Sequence, residues 1–115
     1  TKVFADRERI GQVIVNFLTN AIKYSTDSEH IEVKSFLADN EVILSVKDYG
    51  IGISKHLQHL VFDQFYRVSG KLQHTYPGLG LGLYISSEII KNEGGRIWVE
   101  SEEGEGATFF FALKL

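Results

Sequence analysis

Apolar residues recur along the first two dozen positions at the spacing of a helix. Ile10, Val13, Ile14, Phe17, Leu18, Ala21 and Ile22 fall at 3.6-residue intervals and predict one apolar stripe, on a helix that Asp6 can cap and that runs to about Tyr24. Gln12, Asn16, Asn20 and Lys23 fall on the opposite face. After the polar, turn-like stretch Ser25–Glu29 the period changes. "IEVKSFLA" (Ile31–Ala38) and "EVILSVKD" (Glu41–Asp48) are β-branched and partly alternating, and they predict an antiparallel hairpin turning at Asp39-Asn40. "YGIGIS" is a glycine-rich turn, after which Ser54 can cap a short helix through "KHLQHLVF". The stretch "VSGKLQHTYPG" has neither period and holds the single proline, Pro77, so a mobile loop is expected over about 68–79. A further helix is predicted from about Leu81 to Asn92, stopped by Gly94-Gly95. "RIWVES" and "ATFFFALKL" read as two strands around the turn "EEGEG". Helix, strand pair, helix, loop, helix, strand pair is the order of an α/β (α+β) two-layer sandwich, its largely antiparallel sheet covered on one face by helices.

With 115 residues the chain is expected to form a single domain, 1–115, large enough to bury a core. Its composition narrows the function classes. A net charge of −3 with no basic stripe argues against nucleic acid as a partner. Without cysteine there is neither a disulfide nor a thiolate metal site, which fits a reducing compartment. No apolar run approaches the roughly 18–20 residues that span a bilayer, so direct membrane contact is not expected. The first residue is Thr1 rather than an initiator Met, and the chain reads as a piece of a larger protein.

Chemistry concentrates in glycine-rich and amide-rich segments. "GLGLGL" (residues 78–83) opens a helix, as phosphate-binding turns do, yet it is neither a Walker motif nor a dinucleotide fingerprint following a strand. Taken alone, its glycines could simply let a loop pack tightly. "NFLTNAIKYS" sets Asn16, Asn20 and Lys23 on one helix face. Amide oxygens suit Mg²⁺ and a lysine one turn away suits phosphate, while the bland reading is a solvated polar face. "DYGIGI" ends a strand in Asp48, whose carboxylate can accept from the amino group of adenine, with Gly50 and Gly52 letting a flat base approach; the bland reading is a plain turn. In "FDQFYR" Arg67 is either a surface charge or a forked phosphate ligand. Thr108 in "GEGATFFF" could offer its hydroxyl to a base or a water, or be an ordinary strand threonine.

In this order and at these separations the segments resemble the catalytic and ATP-binding domain of bacterial sensor histidine kinases. That family shares its ATPase fold with gyrase B, heat-shock protein 90 and MutL. "NFLTNAIKYS" resembles the N box, "DYGIGI" the first glycine box, "FDQFYR" the F box and "GLGLGL" the second glycine box. "GGRIWVESEEGEGATFFFAL" is similar to the C-terminal hairpin. The resemblance implies a Bergerat-type fold with a mixed, largely antiparallel sheet, and with ATP held between the helical layer and a mobile lid. It assigns Mg²⁺ to Asn20, metal and phosphate support to Asn16, phosphate to Lys23, and the adenine face to Tyr24. Asp48 would accept from the adenine amino group, with Gly50, Gly52 and Ile53 lining the base. Gly78, Leu79, Gly80, Leu81 and Gly82 would present backbone amides and a helix N-terminus to the phosphates, and Thr108 would complete the base's polar contacts. Arg67 and Asn16 are the candidates for catalytic contact. One departure stands out: Leu79 occupies a position where the family commonly has threonine.

The resemblance further implies an acceptor histidine followed by an acidic residue on a separate helical dimerisation domain. His30, His56, His59 and His74 stand in other contexts, so the acceptor is absent here. His56 and His59 are spaced for a metal but lack a third ligand. The expected function is thus Mg-ATP binding and donation of the γ-phosphoryl group to that histidine, which passes phosphate to a response regulator. The parent would be a homodimer, membrane-anchored or not, with this piece in the cytoplasm and monomeric by itself. Alternatives are a nucleotide-binding interaction module without kinase activity, and a serine kinase of the anti-sigma-factor type.

Overall fold

The computed structural model describes residues 6–24, 30–50, 52–53, 55, 58, 61–62, 79–102 and 104–115. Helix α1 spans Arg7–Tyr24. It begins where the sequence places it, because the Asp6 carboxylate accepts from the amides of Glu8 (3.0 Å) and Arg9 (3.2 Å), two donors that the first turn leaves unpaired. Strands β1 (Glu32–Ala38) and β2 (Glu41–Asp48) form the expected hairpin. Asp39 and Asn40 both have positive φ, 51° and 63°, as a two-residue turn matched to strand twist requires.

Helix α2 spans Leu79–Asn92 and so starts two residues before the expected Leu81. Its far end is closed by backbone alone: Gly95 N–H donates to the Ile90 carbonyl (2.9 Å) and Gly94 N–H to that of Lys91 (3.0 Å), with Gly94 at φ 75°. Strands β3 (Arg96–Ser101) and β4 (Ala107–Lys114) make a second hairpin. The sheet runs β1-β2-β4-β3, and all three pairings among the described strands are antiparallel.

Both helices lie on one face. Val13, Phe17 and Ala21 of α1 and Leu83, Ile89 and Ile90 of α2 meet Val46, Phe109, Phe111 and Leu113 of the sheet. The Phe17 ring sits 5.7 Å from that of Phe109 and 5.9 Å from that of Phe111. The helices run in opposite directions: Asn16 of α1 meets Gly82 near the start of α2, and Asp6 meets Glu93 just past its end. The apolar stripe of α1 is one residue narrower than its period suggests. Ile22 is 66% exposed, because it points away from the sheet, on the flank opposite the one that Asn16 turns toward α2.

Candidate functional site

One end of the sheet gathers the amide and carboxylate groups that the sequence singles out. It is the end where β2 finishes, β4 begins, α1 runs out and α2 starts.

Asp48 closes β2 and is 2% exposed. Its Oδ1 accepts from Gly50 N–H (3.0 Å) and from Ala107 N–H across the strand pair (3.3 Å). Burial pushes its carboxyl above the ordinary aspartate range, and the two amides partly offset this by stabilising the charge. Gly50 is buried beside it, and Gly52 takes a left-handed φ of 73°. Ile53 is half-buried and packs against the core. The turn stays close to β4 because Gly106 (φ 88°) carries no side chain: a Cβ there would lie 2.1 Å from the Asp48 carbonyl oxygen.

Asn16 and Asn20 on α1 are not on a solvated face: α2 packs against Asn16, and Asn20 is buried, while Gln12 is exposed. The Asn16 amide group donates to the Gly82 carbonyl (3.2 Å) and to Ser86 Oγ (3.1 Å), tying the two helices together. Asn20, one turn nearer the Asp48 end, is 4% exposed, and its buried Nδ2 has no hydrogen-bond partner. A buried amide of this kind costs free energy unless something completes it. Lys23 and Tyr24 occupy the last turn of α1, with side chains outside the described residues.

Leu79, Gly80, Leu81 and Gly82 form the first turn of α2 rather than a loop leading into it. In a helix that begins at Leu79, the first residues carry free amides and the fourth, Gly82, already donates within the helix. Gly82 instead offers its carbonyl to Asn16. Arg67, Gly78, His56, His59, His74 and the expected lid over residues 68–78 lie outside the described residues.

Thr108 does not join the group. Strand alternation puts Ala107, Phe109 and Phe111 on the helix side, and Thr108 on the other, level with Lys47 and Glu100. The residue that reaches Asp48 from β4 is Ala107, through its backbone. Counting by twos from Phe109 and Phe111 in the sequence gives the same answer.

The family model described as "Histidine kinase-, DNA gyrase B-, and HSP90-like ATPase" matches residues 5–115. The chain belongs to this ATPase family. Among curated relatives it is 43% identical over 110 residues to the sensor histidine kinase WalK of Bacillus subtilis (strain 168), covering 94% of the chain and 18% of WalK. Among solved structures, the nucleotide-free catalytic domain of the histidine kinase ThkA is 34% identical, with a TM-score of 0.79, covering 96% of the chain and 69% of that domain. Full-length ShkA, solved in complex with AMPPNP, is 33% identical with a TM-score of 0.79, covering 95% of the chain and 22% of ShkA. The ATPase domain therefore spans under a fifth of WalK and corresponds to the catalytic part of protein-histidine kinases.

Several of its site-building groups escape a reading of sequence boxes. Ser86 is fully buried on α2, where it receives Asn16. Ser101 and Gln58 hold the Gly52-Ile53 turn in place. For Ser86 the signal is a polar residue at i+4 from Gly82 on the side of α2 that meets α1. For Ser101 no local pattern marks its role, since the Ile53 amide and the Gln58 side chain that it meets lie 48 and 43 residues away.

Proposed function

We propose that this domain binds Mg-ATP and donates its γ-phosphoryl group to a histidine on a separate helical dimerisation domain of the same kinase. That histidine in turn supplies an aspartate of a response regulator. The single observation that carries this reading is the buried Asp48 carboxylate held at the mouth of a glycine turn, at the same end of the fold as the unpartnered Asn20 amide and the α2 N-terminus. An anionic acceptor in an apolar wall suits the amino group of adenine and repels the carbonyl of guanine. Gly50, Gly52 and Ile53 would line the base.

For the metal the candidate donor is the oxygen of the same Asn20 side chain, while its unpartnered Nδ2 would donate to a phosphate oxygen. Among the described residues no three His, Cys, Asp or Glu side chains group to hold an ion. A Mg²⁺ that brings phosphate and water ligands needs only an amide oxygen such as that of Asn20. Asn20 would hold the ion there, and the chemistry it would supply is positive charge beside the transferring phosphate. Asn16 holds the first turns of α2 against α1 and so orients the free amides of Leu79, Gly80 and Leu81 toward the phosphates. Lys23, Tyr24, Gly78 and, as a catalytic contact, Arg67 complete the proposed set; Thr108 is left out of it. The domain is read as one unit, 1–115, with the expected lid over about 68–79 shortened by Leu79, which belongs to α2. Among the described residues no helix is long and apolar enough to cross a membrane, and the proposed location is cytoplasmic, where ATP is found.

Calorimetric titration of the chain with ATP, with and without Mg²⁺ and against GTP, tests the reading. Adenine-selective, Mg²⁺-sensitive binding is expected. Equal affinity for GTP would remove Asp48 from the base site, and a folded chain that binds neither would overturn the reading.

A further inference from the structure

The turn proposed to line the adenine is held by two side chains that no nucleotide-binding box contains. Ile53 has both of its backbone groups engaged from outside the turn. Its N–H donates to Ser101 Oγ (2.8 Å), and its carbonyl accepts from Gln58 Nε2 (2.9 Å). The same Nε2 also donates to the Ser101 carbonyl (2.7 Å), using both amide hydrogens. Ser101 Oγ in turn donates to the Gly106 carbonyl (2.6 Å), so its one hydrogen is committed as well. Gly106 precedes Ala107, whose amide holds Asp48 Oδ1. A continuous chain of hydrogen bonds thus runs from Gln58 through Ile53, Ser101 and the Gly106-Ala107 backbone to the carboxylate itself.

We infer that Ser101 and Gln58 are positioning residues for nucleotide binding, acting as a latch that fixes Ile53 and the Asp48 carboxylate in one frame. The inference rests on the proposal that this end of the fold binds adenine. It goes further in naming what sets the base site's geometry. A glycine-rich turn has many conformations to lose, and a turn already held in its binding conformation spares the ligand that entropic cost. The latch comes from Ser101 on β3, 48 residues from Ile53 in sequence, and from Gln58, five residues beyond it. Gln58 also borders a 290 Å³ cavity with Phe62, Ile97, Trp98 and Val99, which gives an unbranched apolar side chain room to adjust in its place.

The test compares the native 115-residue chain with Ser101→Ala, Ser101→Thr and Gln58→Met, by ADP calorimetry and by amide hydrogen exchange. Ser101→Ala and Gln58→Met should each weaken ADP binding about 5- to 10-fold, and Ser101→Thr, which keeps the hydroxyl, should restore it. In Ser101→Ala the Ile53 amide should exchange faster while that of Val46 in the core does not, a readout that a general loss of stability would not give. If Ser101→Ala fails to fold, Gln58→Met carries the same comparison. Native binding with unchanged affinity in both variants, despite faster exchange at Ile53, overturns the latch alone. A native chain that does not bind ADP overturns the adenine reading and the latch's role with it, and faster Ile53 exchange in Ser101→Ala then reports only a structural contact.

Discussion

Where β2 starts and β4 finishes, Arg96 reaches across the sheet to Glu41 in a forked pair at 2.9 and 3.2 Å, with the Arg96 guanidinium over the Trp98 ring. Asp6 caps α1 nearby, in the open. Asp6 and Arg96 face water, Glu41 is half-buried beneath the guanidinium, and each is paired within the chain. Where β2 finishes and β4 starts, Asp48 and Asn20 are both buried, one with its acidity weakened by desolvation and the other with an amide nitrogen left over. The first end could be built for stability alone. The second carries polar groups at a cost in stability, which is the pattern of a site whose completion comes from a ligand.

The sharpest way to break this contrast is at Gly106. Gly106→Ala places a methyl group against the Asp48 carbonyl and forces an L residue to a φ of 88°. A loss of about 3 kcal/mol or more is expected from strain and displacement together, with the base turn disturbed. Gly104 lies in the same hairpin turn with φ 81° and open space around it. Gly104→Ala should cost only about 1 kcal/mol and leave nucleotide binding intact. Chemical denaturation of both variants checks the pair, and equal losses would deny that close approach to Asp48 matters.

Next comes Asp48→Asn. Loss of the charged acceptor should weaken ATP binding about 10- to 150-fold, equivalent to about 1.5–3 kcal/mol. The fold itself should gain at neutral pH, because a buried charge is removed while an oxygen remains for Gly50 and Ala107. The sign with pH follows from the raised pKa. Below the unfolded-state pKa the carboxyl is neutral in both states and the native chain bears no penalty. The penalty grows as pH rises from there to the native pKa, and is constant above it. The stability gap between native and Asn chains should therefore open with rising pH, and native affinity for ATP should fall as Asp48 is protonated. A gap that does not change with pH would show that burial does not weigh on this carboxylate.

Asn20→Ala should act more narrowly. Removing a buried, unpartnered amide relieves one cost and opens a small cavity, so unfolding free energy should stay within about 1 kcal/mol of native. What should disappear is the Mg²⁺ dependence of ATP binding. If calorimetry still shows that dependence, the metal is held elsewhere.

The same contrast explains what was legible in the sequence. Elements set by local chemistry were: the Asp6 cap, the Asp39-Asn40 turn and the Gly94-Gly95 stop all stand where their residue types put them. The proposed site residues Asn16, Asn20 and Asp48 drew notice in the sequence too, because amides on one helix face and an acid before a glycine turn are patterns of adjacent positions. Burial was not. Periodicity shows that Asn16 and Asn20 share a face, but only the packing of α2 turns that face from solvated to enclosed. Ile22 errs the other way, apolar and in register yet exposed. Thr108 drew notice for its hydroxyl, while its strand parity sets it on the sheet face away from the helices. The α2 boundary moved because Leu79 and Gly80 are held helical by the packing of the turn that follows, where Gly82 meets Asn16, against glycine's own poor propensity.

The smallest effect belongs to the open end, and it is informative because it is small. Glu41→Gln removes one charge from the pair with Arg96, which at present holds the Glu41 carboxyl below the usual carboxylate range. The Arg96 side of that pair is exposed, so solvent and salt screen it in part, and an amide at the same position can still accept from the guanidinium. The melting temperature should barely move at physiological salt, and whatever loss occurs should sit above the unfolded glutamate pKa and fade as pH falls through the native one. ATP affinity should not change at all. Asp48→Asn behaves oppositely on both counts, gaining stability while losing ligand. If Glu41→Gln also weakened ATP binding, the two ends would be coupled through β2 and β4, and the division between a stabilising end and a binding end would fail.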